Sequence, residues 1–169
     1  SRDLPYLPEL LHKTGYRTAA FVGSMILDPK NVTAVGFERG FDVYDAQFHQ
    51  GKRGEDRYHS TERRAIEVVD RALSWINKRP QGPFFLWVHL YDPHGPYDPP
   101  EPFKTRFAKD PYDGEIAYMD SAIGRLLKSL KESGLYDKSM FVVTADHGEA
   151  FGEHGEQHHG IFLYDETLH

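Results

Sequence analysis

A chain of 169 residues, 39% apolar and 14% aromatic, is long enough to close one hydrophobic core and too rich in large side chains for a disordered segment. Its formal charge of −6 argues against a general nucleic-acid binder, which would carry a basic face. The absence of cysteine excludes disulfides, thiolate metal sites and thiol nucleophiles within these residues, and no apolar run approaches the roughly 20 residues that cross a bilayer.

The first element predicted is a short helix over 5–14 (PYLPELLHKT), with Leu7, Leu10 and Leu11 on one face and Gly15 as its stop. YRTAAFVG (16–23) follows as a short buried strand. Residues 24–58 contain four glycines and little periodicity, which predicts a long irregular excursion. Such a stretch either covers a functional face or packs through its aromatics. The clearest helix lies over 60–78, with Ser60 or Thr61 as cap and Ile66, Val69, Ala72, Leu73 and Ile76 at 3–4 spacing. After a break at 79–83, PFFLWVHLY (83–91) reads as a central strand buried on both faces, the habit of parallel sheets.

A proline-rich loop, DPHGPYDPPEPF (92–103), leads to a second long helix over 112–133. Its apolar positions are Ile116, Met119, Ile123, Leu126, Leu127 and Leu130, and Gly134 ends it. SMFVVTA (139–145) is the last predicted strand. Alternating helices and strands predict an α/β fold, a mainly parallel sheet flanked by helices. In such sheets ligands bind beyond the carboxyl ends of the strands. Two histidine-bearing loops, 89–94 and 146–159, stand at those places. Both termini read as interior sequence: the chain opens SRDLPYLPELL without a methionine and stops within DETLH, so a segment of a larger domain is expected.

The stretch TADHGEAFGEHGEQHHG (144–160) holds four of the ten histidines. Asp146 and His147 offer one oxygen and one nitrogen donor at a strand end, suited to Mn²⁺, Zn²⁺ or Ca²⁺, and Gly148 lets the backbone turn away. The same spacing suits a turn cap and a surface histidine, and spacing alone leaves both readings open. Of the neighbours His158 and His159, only one can point at a given centre. His94 is presented by a loop stiffened by prolines at 93, 96, 99 and 100, whereas His89 falls within a strand and reads as a core histidine. Ser24, Thr33, Ser60, Thr61, Thr105, Ser121 and Thr144 are the available hydroxyls. None has the metal or base context of an activated nucleophile.

PFFLWVHLYDPHGPYDPPEPF, YDGEIAYMDSAIGRLL and FVVTADHGEAFGEHGEQHHGIFLYDETLH resemble, in order, consecutive segments of the sulfatase family of the alkaline phosphatase superfamily. The opening LPELLHKTGYRTAAFVG resembles that family's approach to its second strand, so the likeness covers nearly the whole chain. It implies an alkaline-phosphatase-like fold, incomplete here, with residues 1–169 as the central part of a catalytic domain. Asp146 and His147 match the late metal-binding pair, and His94 matches the histidine that contacts sulfate or phosphate oxygens. His159 stands where the family places a basic residue beside the same anion. Asp92 and His154 belong to the motifs without a settled role. The resemblance implies a divalent metal (Ca, Mn or Zn), a small-molecule or glycan sulfate or phosphate ester as substrate, and an extracytoplasmic, periplasmic or membrane-associated, location. The family's acidic N-terminal ligands and its nucleophile have no counterpart in these residues, so the segment alone is expected to be inactive. Histidine rather than asparagine at 147 keeps a phosphodiesterase, phosphonate hydrolase or phosphoglycerol transferase of the superfamily open, as does a non-catalytic module.

Overall fold

The computed structural model describes residues 4–32, 34–52, 54–78 and 82–152. It divides into two compact units, 1–136 and 137–169.

In the first unit, α1 (Leu7–Lys13) begins with a proline in its first turn, where the missing N–H costs nothing. β1 (Arg17–Val22) lies between β2 (Val43–Asp45) and β3 (Phe84–His89) in an all-parallel sheet of order β2-β1-β3. The register pairs Ala19 with both Val43 and Leu86, and Val22 with His89, so β1 and β3 end together. β1 is thus the strand buried along its length, apart from Arg17. β3 is half-buried throughout, which corrects the expectation of a central, doubly buried strand. Its apolar run reflects two different coverings instead.

One face of the sheet carries α2 (Ala65–Asn77), which packs Val68 and Ala72 on Ala19 and Phe21. Behind it α4 (Pro111–Glu132) closes a second cluster, with Ala65, Val69, Leu73 and Ile76 against Tyr118, Ala122 and Leu130. Period-two alternation sends Leu86 and Val88 of β3 to this side. The opposite face is aromatic: Phe37, Phe41 and Tyr44 gather on Phe85 and Trp87, with ring centroids 5.9–6.4 Å apart where they meet β3. The excursion over 24–58 therefore supplies the second wall of the sheet, and it hides a three-residue strand, β2, too short to show as a pattern.

The 60–78 helix begins five residues late. Ser60 is buried and donates to Asp56 O at 3.2 Å rather than capping. The first N–H of α2, from Ala65, is taken by Asp92 Oδ2 at 2.7 Å, a cap from 27 residues away. α4 is likewise rotated from its expected stripe: Ile116 is exposed, while Gly114, Glu115, Tyr118 and Ala122 are buried.

In the second unit, 139–145 forms no strand, and no strand pairs with it among the described residues. Met140, Val142 and Val143 are each more than 80% exposed. An apolar run becomes a strand only where a neighbour takes its N–H and C=O groups.

Candidate active site

The site in the first unit stands at the shared carboxyl end of β1 and β3. Gly23 follows β1, and a Cβ there would lie 3.0 Å from His89 O and 3.1 Å from Tyr91 N, so only glycine lets the strand ends run this close. His89 accepts the Gly23 N–H on Nδ1 at 3.3 Å, between the rings of Trp87 and Tyr91. It is a strand-end histidine of the scaffold, as its sequence position suggests.

The chain then turns through Tyr91, Asp92 and Pro93 to His94. The His94 ring stacks on Tyr91, centroids 4.2 Å apart at 20°, and its Nε2 shares a 2.9 Å hydrogen bond with the Tyr91 hydroxyl. Three elements fix the backbone of this turn. From α4, Glu115 Oε2 accepts His94 N–H at 2.9 Å and Oε1 accepts Asp98 N–H at 2.8 Å. From the 46–64 segment, Arg57 donates Nη1 to His94 O at 3.3 Å and Nη2 to Pro96 O at 2.6 Å. From the foot of α2, Arg64 donates to Asp98 O at 2.8 Å. Both guanidiniums lie over the Tyr58 ring, at 4.7 and 3.6 Å.

Buried charge dominates the electrostatics. Asp92 sits with 6% of its surface exposed, and burial pushes its carboxyl up to about 6, with the Glu115 charge adding and the Ala65 N–H opposing. Burial raises Glu115 as well, against the pull of the Asp98 and His94 N–H groups and of Arg57 and Arg64. Tyr58 is raised to about 12, by burial first and by the Glu115 charge second. Tyr58, Glu62, Arg63, Tyr91, Asp92, His94 and Glu115 pack closely around one another and hold the His94 imidazole on a rigid turn. Such a group can donate to an anionic oxygen or pass a proton.

In the second unit, His147 Nδ1 lies 2.6 Å from Gly148 O, which accepts only, so Nδ1 is the donor of that pair and Nε2 is the other ring nitrogen. That Nε2 faces Asp146 Oδ2 at 3.8 Å. A carboxylate oxygen and an imidazole nitrogen set side by side are donor types that fit two ligands of a divalent cation. Among the described residues no group of three or more His, Asp or Glu side chains is disposed to hold one. His154, His158 and His159 lie outside the described residues. Of the hydroxyls singled out in the sequence, four donate within their own surroundings: Ser60 as above, Thr105 to Glu101, Ser121 to Tyr118 O and Thr144 to Ala145 O.

Arg57, Glu115, Arg64 and Tyr91 escaped the sequence reading. Glu115 had a signal, since it falls one turn before Tyr118 on what proves the buried face of α4, but a glutamate in a helix reads by default as solvated.

The sulfatase family model matches residues 1–167. The chain belongs to the sulfatase family. Among curated sulfatases, the arylsulfatase of Clostridium perfringens is 26% identical over an alignment covering 58% of this chain and 31% of the arylsulfatase. The structure of BT4656 in complex with its substrate D-glucosamine-2-N,6-O-disulfate superposes with a TM-score of 0.68 at 18% identity, covering 99% of this chain and 54% of that one. A protein of the alkaline phosphatase superfamily from Vibrio parahaemolyticus gives 0.59 at 23% identity, over 83% of this chain and 35% of that one. These likenesses establish the alkaline-phosphatase-like fold. The sulfatase segment described here thus spans about a third of the arylsulfatase's length.

Proposed function

We propose that the protein containing this segment is a metal-dependent hydrolase of sulfuric esters, acting on a small-molecule or glycan sulfate outside the cytoplasm. The observation that supports this best is the sulfatase match over residues 1–167, joined to the way the fold presents His94 at the carboxyl end of a parallel sheet. In this reading His94 donates to an oxygen of the sulfate. By the family resemblance alone, His159 is the basic residue that would assist the leaving oxygen, as an imidazole can near neutral pH. Asp146 and His147 would hold the cation. A bound divalent ion would neutralise charge on the ester oxygens. The 169 residues by themselves do not turn over in this reading, because the hydroxyls traced above are turned to local acceptors and none donates to an imidazole.

The test takes the full-length protein with Mn²⁺, Ca²⁺ or Zn²⁺ and assays an aryl sulfate and a bis-aryl phosphate. Sulfate turnover that His94→Asn lowers by 10²-fold or more supports the reading, the scale on which an anion donor counts. Faster phosphate turnover moves the protein to the phosphodiesterase branch of the superfamily. Hydrolysis of neither, with metal content unchanged by Asp146→Ala, rejects the enzyme reading.

A further inference from the structure

We propose that Glu115 is a positioning residue, setting where the His94 imidazole stands by holding both ends of the 94–98 turn. Glu115 is fully buried, in the middle of the helix face that packs Tyr118 and Ala122 on α2. A buried carboxylate is a poor choice for stability, because an apolar side chain of similar volume usually packs at least as well. What the carboxylate offers is two acceptors at a fixed spacing. Each oxygen takes one backbone N–H, from His94 and from Asp98. Neither N–H can be matched by a leucine, and glutamine can match only one, since its amide nitrogen would face a second donor.

The opposite side of the turn supports the same reading. Arg57 takes the carbonyls of His94 and Pro96, and its Nη2 lies 3.8 Å from Glu115 Oε1. The His94 backbone is therefore held at its N–H by α4 and at its C=O by the 46–64 segment. With the backbone fixed, only two side-chain torsions remain, and the Tyr91 ring and hydroxyl restrict those. Gly114, next to Glu115, lets α4 come close: a Cβ there would lie 2.8 Å from Pro99 Cγ. A misplacement of about 1 Å at a group that touches the reacting centre can cost on the order of 10²-fold in rate, so such bracing matters to turnover.

The kinetic arm of the test rests on the sulfatase reading, and the spectroscopic arm does not. Long-range ¹⁵N spectra of the full-length protein report the His94 ring, assigned by loss of its signals in His94→Asn. Glu115→Gln should shift or split those signals. Arg57→Met, which removes the bracing from the other side and leaves the α4 core intact, should move the same signals. In a protein that hydrolyses aryl sulfate, both variants should lower kcat/KM by about tenfold or more. Ring signals that stay at their parent positions in both variants, whatever happens to Tm, overturn the proposal. So do shifted signals with unchanged kcat/KM in an active protein. Absence of turnover by the parent counts against the sulfatase reading alone, because the ring signals still decide the role of Glu115.

Discussion

Replacing Asp92 with asparagine should raise stability at neutral pH, although it changes a buried side chain that caps a helix. The Asp92 carboxyl accepts the Ala65 N–H at 2.7 Å, and an asparagine oxygen can do the same. What asparagine lacks is the charge. Burial pushes the carboxyl from 3.8 up to about 6, so the folded protein holds this proton more tightly than the unfolded chain does. The contribution is most favourable below about pH 3.8. It declines as pH rises to about 6 and stays low above that. At about 1.4 kcal/mol per pH unit, the displacement corresponds to roughly 3 kcal/mol lost by pH 7. The asparagine NH₂ needs a partner and returns about 1 kcal/mol of that. Asp92→Asn should therefore gain about 1–2 kcal/mol at pH 7 and nothing near pH 4. Asp92→Ala, which leaves the N–H of α2 unmet, should gain less at pH 7 and lose about 1 kcal/mol at pH 4. Urea midpoints for parent and variants at intervals from pH 4 to 8 give both numbers. A difference between Asp92→Asn and parent that does not change with pH, or a loss above 1 kcal/mol at pH 7, refutes the reasoning.

Two further substitutions probe the frame around the site. Arg63 is buried and donates to Val22 O, Asp45 O and Gln47 O, tying the ends of β1 and β2, and it pairs with Asp45 Oδ1 at 3.0 Å. Arg63→Met removes the donor to three carbonyls and one of the two arginine partners of Asp45, the other being Arg71 at 3.1 Å, and urea unfolding should show a loss of about 3 kcal/mol. Gly114→Ala should destabilise by about 1–2 kcal/mol in the same assay, because the contact with the Pro99 ring outweighs the gain in helix propensity of about 1 kcal/mol. Stabilisation by Gly114→Ala would show that the proline loop yields instead.

How much of this could be seen in the sequence depends on the range of the interaction. The 17–22 and 84–89 strands and the two long helices were legible, because periodicity and breakers such as Gly15 and Gly134 act locally. The start of α2 was not, since its cap comes from Asp92 across 27 residues, while Ser60 offers a local cap that the fold declines. β2 has three residues and owes its existence to β1 beside it. Asp146 and His147 stood out by residue type, and His94 by its prolines. Arg57 and Glu115 did not, because a charged residue shows its purpose only when the chain that surrounds it is folded.

The open 139–145 run carries a consequence for handling the 169-residue segment by itself. Met140, Val142 and Val143 present a short, uncharged, β-prone segment with no strand beside it among the described residues. Such segments recruit the edges of other molecules, and charges at their borders slow that growth. Lys138 on one side and Asp146 on the other occupy those borders. Colloidal behaviour on storage, rather than folding, is then what substitution of Lys138 by an apolar residue would spoil first.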